Sequence, residues 1–138
     1  MIKMVHRSSI PLHWRLYEPK YKLAGNRCLK CGESFFPPRN ICPNCGRKGV
    51  LKKLVFSGRG TIYSYTVIRT PLDGFEQQAP YVIGVIKLKE GPKIVGQIVD
   101  TEIRDITIGK EVKSVFRKIY DDSPSGLIHY GLKWVVIE

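Results

Sequence analysis

Acidic side chains are almost missing from the first 53 residues of this 138-residue chain, which hold 12 Lys and Arg but only Glu18 and Glu33, a balance of +10. Residues 54–138 carry 11 bases against 10 acids, so the formal charge of +11 belongs to the N-terminal segment. That excludes an anion-repelling N-terminal face; such a segment concentrates nucleic acid, phosphorylated cofactors or acidic protein surfaces. Long apolar runs are missing too. The longest, such as Trp134–Ile137, fall far short of the roughly 18 residues of a membrane span, and a soluble protein is expected. Met1–Ser9 mixes Lys3, His6 and Arg7 among single apolar residues, so no leader is read there and a cytoplasmic protein is expected. His6, His13 and His129 stand without motif neighbours, and the chain holds no GxSxG elbow, Walker glycine loop or HExxH pair. The sequence therefore argues against an autonomous enzyme. No internal repeat or low-complexity stretch is found.

The four cysteines are concentrated between residues 28 and 45, as Cys28-x2-Cys31 and Cys42-x2-Cys45. A two-residue gap lets both thiolates of a tight turn face one ion, and Gly32 and Gly46, each directly after a pair, can take the positive φ such a turn requires. Two matching turns make a tetrahedral four-thiolate site, which suits a closed, structural zinc. Iron bound as in rubredoxin is the metal alternative and two disulfides the non-metal one. The linker Glu33–Ile41 reads as a short aromatic strand closed by Pro37-Pro38, as a zinc-ribbon hairpin needs. All four thiols being committed, none remains as a nucleophile.

Upstream, Ile10, Trp14, Tyr17 and Tyr21 follow helical spacing, with Ser8 and Ser9 as caps and Pro11 in the first turn. One short helix is predicted, broken or kinked at Glu18 by Pro19, with Gly25 ending a second turn. Its aromatic stripe packs on the chain's own core or is offered to a partner. Downstream, residues 61–68, 81–88, 93–99, 112–120 and 131–137 read as five strands, with Lys89–Pro92 as a hairpin turn and Asp121–Gly126 as loop chemistry. Five short strands fit a closed OB-fold barrel, bent or bulged at Gly84 and Gly96. The chain is thus expected to be mainly β: an N-terminal helical segment (1–25), a rubredoxin-like four-cysteine zinc ribbon (26–53) and a five-stranded OB-fold barrel (54–138). Ser57–Gly60 reads as a joint or as a backbone phosphate cradle charged by Arg59. Tyr63 and Tyr65 serve as barrel wall or stack on a base.

The order of parts resembles a known family. His13-Trp14, Arg27-Cys28-x2-Cys31-Gly32, Phe36-Pro-Pro-Arg39, Cys42-Pro-Asn-Cys45, Gly60-Thr-Ile-Tyr-Ser-Tyr-Thr66, Pro80-Tyr81 and Gly109-Lys-Glu-Val112 look like the zinc-ribbon/OB-fold acyl-CoA-associated proteins, formerly a domain of unknown function. The resemblance spans residues 10–137. It implies a non-catalytic subunit of the stand-alone archaeal type, which holds an acetoacetyl-CoA thiolase and a hydroxymethylglutaryl-CoA synthase together. Such a subunit helps bind CoA and pass acetoacetyl-CoA between them in the mevalonate route to isoprenoids. It also implies structural zinc on Cys28, Cys31, Cys42 and Cys45, and CoA or acyl-CoA as a shared ligand. Arg59 and Lys93 are the candidate CoA contacts, from their position in the barrel. A basic module suits the 3′-phosphorylated ADP of CoA. The rival readings are a nucleic-acid-binding module, disfavoured by the nearly neutral barrel half, and a scaffold that never touches CoA.

Overall fold

Proline chemistry decides the start of the chain. The computed structural model, which describes residues 9–137, has two short helices here, α1 (Ile10–Arg15) and α2 (Tyr17–Lys22). The interruption lies at Leu16 (φ −98°, ψ 8°) and not at Glu18. In a continuous helix Pro19 would offer no N–H to the Arg15 carbonyl and its ring would clash with it. Restarting at Tyr17 puts Pro19 in the first turn of α2, where a missing donor costs nothing. Pro11 lies in the first turn of α1 as expected, while Ser9 occupies the cap position without a side-chain hydrogen bond. Ser8, the other expected cap, lies outside the described residues. Leu23, left-handed at φ 51°, ends α2 by donating its N–H to the Glu18 carbonyl. Gly25 does not end a helical turn. It lies inside β1 (Ala24–Cys28), where a Cβ would stand 2.6 Å from the Phe56 ring.

β1 is the middle of a three-stranded antiparallel sheet. β2 (Ser34–Phe35) and β3 (Leu51–Val55) flank it, with Asn26 opposite Phe35 on one side and Lys53 on the other. Buried Asn26 ties this sheet to the linker: its Oδ1 accepts the Arg39 N–H and its Nδ2 donates to the Arg39 carbonyl. Phe36–Pro37 and Ala79–Pro80 are cis.

The five expected strands form as β4 (Arg59–Ile68), β5 (Tyr81–Leu88), β6 (Lys93–Val99), β7 (Glu111–Asp121) and β8 (Ile128–Val136). They close into a barrel in the order β4-β5-β6-β8-β7. Only β6 and β8 run parallel among these pairs, with Ile98 beside Trp134. The turn at Lys89–Pro92 closes through Leu88 N–H to the Pro92 carbonyl, with Gly91 at φ 110°. Gly84 and Gly96 do not mark bulges: they face each other in an unshifted β5–β6 register, and the shifts lie at Ile62/Ser64 and Lys118/Tyr120. Gly96 is small because a Cβ would stand 2.5 Å from Trp134 Cδ1, and Gly84 because one would stand 2.8 Å from Ile98 Cδ1.

One core joins the two sheets. Ile62, Val82, Ile86, Leu88, Ile98, Ile106, Val112 and Trp134 fill the barrel, and Leu23 and Phe56, bonded to each other at the Ala24–Val55 end of the β1–β3 ladder, pack into the same cluster. Apolar burial of this kind contributes roughly 1.5–3 kcal/mol per large side chain. No helix among the described residues is long and apolar enough to cross a membrane.

Candidate functional site

Two reverse turns bring the four cysteines together. Gly32 N–H returns to the Cys28 carbonyl at 2.8 Å and Gly46 N–H to the Cys42 carbonyl at 2.9 Å, closing one tight loop around each Cys-x2-Cys pair. Both glycines take the positive φ expected of them, 76° and 56°. The four Sγ atoms lie within 4.8 Å of one another, with Cys31 and Cys42 at 3.6 Å. A tetrahedral zinc with Zn–S bonds of ~2.3 Å places its sulfurs roughly 3.8 Å apart, so the four side chains fit the ion. All four cysteines are free, and 3.6 Å is far beyond the ~2.05 Å of a disulfide. Four converging thiols cannot all ionise without a cation among them. Backbone N–H groups, first that of Cys31 and then that of Lys30, pull the Cys28 thiol down to about 6 against its burial, whereas burial and the neighbouring sulfurs push Cys45 up to about 12. Such a site binds a divalent ion as thiolates and releases protons on doing so. Around it only Cys28, Phe35 and Cys42, with Cys45 and Leu51 against them, form an apolar cluster, too little to hold the knuckles without a cross-link.

The two candidate CoA contacts lie on the barrel. Arg59 opens β4, exposed, and the Ser57–Gly60 joint is tied to the barrel: Ser114 N–H donates to the Gly58 carbonyl and Lys89 N–H to that of Arg59. Lys93 opens β6 with its Nζ 3.5 Å from the centroid of the exposed Tyr63 ring. It shares a rung with Lys87 and, through it, Thr61, two residues along β4 from Arg59.

The helical stripe is not core. α1 and α2 bury no residue completely, and Trp14 is 80% exposed. An aromatic array, missed in the sequence because Phe116 and Tyr130 read as ordinary barrel wall, continues from it onto the barrel exterior. Tyr17 meets Tyr21 edge-on at 4.8 Å, Tyr21 meets Phe116 at 5.3 Å, and Phe116 stacks on Tyr130 at 5.6 Å. Beside it Ile10, Trp14, Tyr17, Leu127 and Ile128 line a groove of ≈ 730 Å³. At its floor His13 faces His129, which bonds Asp122 through Nε2 at 3.1 Å. Burial, then Lys20, lowers the pKa of His13. Exposed, contiguous aromatic surface of this kind is the sort that interaction sites use.

Comparison with known proteins agrees with this architecture. Residues 18–50 match the rubredoxin-like zinc ribbon domain of ChsH2, and residues 55–117 its C-terminal OB-fold domain. The chain is 50% identical over 121 residues to a DUF35 domain-containing scaffold protein of Methanothermobacter thermautotrophicus, covering 88% of this chain and 91% of that one. It is 46% identical to a scaffold protein of the same description from Methanocaldococcus jannaschii, covering 99% and 93%. It is 36% identical over 80 residues to a benzoylsuccinyl-CoA thiolase subunit of Thauera aromatica, covering 55% and 51%. A solved structure titled Ltp2-ChsH2(DUF35) aldolase shares the fold, with a TM-score of 0.67, 24% identity and 98% coverage of each chain.

Proposed function

The chain belongs to the DUF35 scaffold-protein family, with ChsH2-type zinc-ribbon and OB-fold domains, and from that membership we propose that it is a cytoplasmic, non-catalytic scaffold for thiolase-superfamily enzymes. The observation that carries this is the exposed aromatic face running from α1 and α2 onto β7 and β8. Thiols that converge on one metal site, together with an exposed aromatic face, suit a chain that holds another protein. Relatives described as scaffolds and as a thiolase subunit support the same direction. The partners proposed are an acetoacetyl-CoA thiolase and a hydroxymethylglutaryl-CoA synthase, bridged so that acetoacetyl-CoA passes between them in the mevalonate route.

In the same reading CoA is a shared ligand, with Arg59 and Lys93 adding cations at its nucleotide end. Charge-assisted phosphate contacts at exposed residues weaken with salt. Arg59→Ala in the assembled complex should therefore raise KM for acyl-CoA while leaving kcat unchanged, because uniform binding is removed.

Co-expression of the three proteins, followed by size exclusion at micromolar concentration, tests the scaffold. Co-elution supports it. Separate elution, together with tight binding of a single-stranded oligonucleotide to this chain alone, would replace it with a nucleic-acid reading centred on Tyr63, Tyr65 and Lys93.

A further inference from the structure

Lys133 is the one buried basic side chain among the described residues, with 6% of its surface exposed. It lies on β8 next to Trp134, and since Trp134 fills the barrel interior, strand alternation turns Lys133 to the outside wall. There the β4–β5 connection folds over it. The short 3-10 turn Glu76–Gln78 of that connection places Gln78 Oε1 3.5 Å from Lys133 Nζ. This single long bond, to a neutral amide that also accepts from Gln97 Nε2 at 3.2 Å, is the polar partner of an ammonium with three protons to give.

The nearby carboxylates among the described residues already hold partners. Asp100 pairs with Arg117 at 3.2 Å, Asp121 with Lys118, and Glu76 Oε2 accepts the Gly74 N–H at 2.9 Å. Among the described residues Lys133 is left as a buried cation without an ion-pair partner of its own, an arrangement that is costly unless something else supplies the charge. Burial holds its pKa below the ordinary lysine value, with Arg117 adding to the effect and Asp100 opposing it. Lys133 borders a cavity of ≈ 560 Å³, lined also by Gly74, Glu76, Gln78, Lys118, Tyr120 and Asp121, the two carboxylates being the ones already bonded to Gly74 N–H and to Lys118. This cavity sits where the connection between the first two barrel strands meets the end of the fourth. In five-stranded barrels the loops after the first and fourth strands shape ligand sites.

We propose that this cavity is an anion site, in which Lys133 receives the carboxylate or phosphate oxygen of a small molecule beneath the Glu76–Gln78 turn. Entry of one anionic oxygen supplies both the missing acceptor and the missing charge, without breaking the ion pairs on either side. The site is separate from Arg59 and Lys93 and does not depend on the scaffold reading.

The test is a titration of the zinc-loaded full chain with acetate, inorganic phosphate and pyrophosphate at constant ionic strength, followed by NMR of the lysine side-chain signals. One lysine resonance, absent from Lys133→Met, should shift saturably, and affinity should fall at least tenfold in Lys133→Met and in Lys133→Gln, with Lys52→Met, an exposed position on β3, as the unaffected control. Response to acetate alone assigns a carboxylate; a stronger response to phosphate or pyrophosphate assigns a phosphorylated ligand. The absence of saturable shifts with all three, or shifts that persist in whichever Lys133 variant retains the native Trp134 fluorescence, would overturn the proposal. Neither result bears on co-elution with a thiolase.

Discussion

Trp134 shows how much of this molecule turns on single atoms. It is 1% exposed, and its indole occupies the space that a side chain at position 96 would need. Gly96→Ala therefore forces a shift in a ring buried in the same core cluster as Ile98, Ile62 and Val112, and overpacking of this sort costs about 1–3 kcal/mol. Urea denaturation followed by Trp fluorescence should show that loss with the slope unchanged; a loss below about 0.5 kcal/mol would mean that the ring has room to move. The glycine was visible in the sequence, but its reason was not: a small residue inside a strand reads equally as a bulge or as space left for a neighbour, and only the partner across the barrel decides. Lys133 was equally hidden, because Leu132, Lys133 and Trp134 read as ordinary alternation with the charge outward. Since burial lowers its folded pKa, the unfolded chain holds more protons between that value and the ordinary lysine value, and stability must rise with pH across this window. Below it the buried charge opposes folding in full. Lys133→Met should accordingly match or exceed the parent in stability at pH 7, with its advantage shrinking as pH climbs through the window. Paired urea midpoints at pH 7 and pH 10 check this, and an advantage that grew with pH would show the sign to be wrong.

At the scale of elements, the zinc ribbon divides into a part that depends on the metal and a part that the barrel holds. The knuckles and β2 rest on Cys28, Phe35, Cys42 and little else, whereas β1 and β3 are anchored by Leu23 and Phe56 in the barrel core. Removal of the metal by chelation, or Cys42→Ser, should raise hydrogen exchange at the Gly32 and Gly46 amides to the rate of an open loop. The Ile62 and Ser114 amides, bonded to the Lys110 and Gly58 carbonyls, should keep their protection. Simultaneous loss at all four would make ribbon and barrel one cooperative unit. The barrel strands were legible because they are β-branched and alternate. β1, Ala-Gly-Asn-Arg-Cys, and β3, Leu-Lys-Lys-Leu-Val, were not: the first has no β-branched residue and the second breaks alternation with paired lysines. Both owe their conformation to pairing with each other, a long-range fact that local pattern does not carry. The four cysteines, by contrast, announced themselves through spacing alone. The helix break was misplaced for a definite reason: Pro19 acts on the carbonyl four residues back, so the chain yields at Leu16.

For the molecule as a whole, net positive charge and exposed aromatic side chains share one stretch of sequence. The net positive charge lies in the first 53 positions, and the exposed aromatics of α1 and α2 belong to that same segment together with Arg15, Lys20 and Lys22, extended by Phe116 and Tyr130 from the barrel. Cations beside a desolvatable aromatic patch suit a partner surface with apolar pockets and an acidic rim, the cations raising the encounter rate and the aromatics slowing dissociation. Trp14 separates folding from function here. Because it is 80% exposed on a helix with no fully buried residue, Trp14→Ala should change the stability of the free chain by no more than about 0.5 kcal/mol. If the face docks a thiolase-type enzyme, the same substitution removes an aromatic anchor and should cost about 2 kcal/mol or more of binding, roughly a 30-fold rise in Kd. The loss should fall mainly on the dissociation rate, whereas raising salt should mainly slow association. Stopped-flow or surface-based kinetics with the co-purified enzyme distinguish the two, and an unchanged dissociation rate for Trp14→Ala would move the interface away from α1.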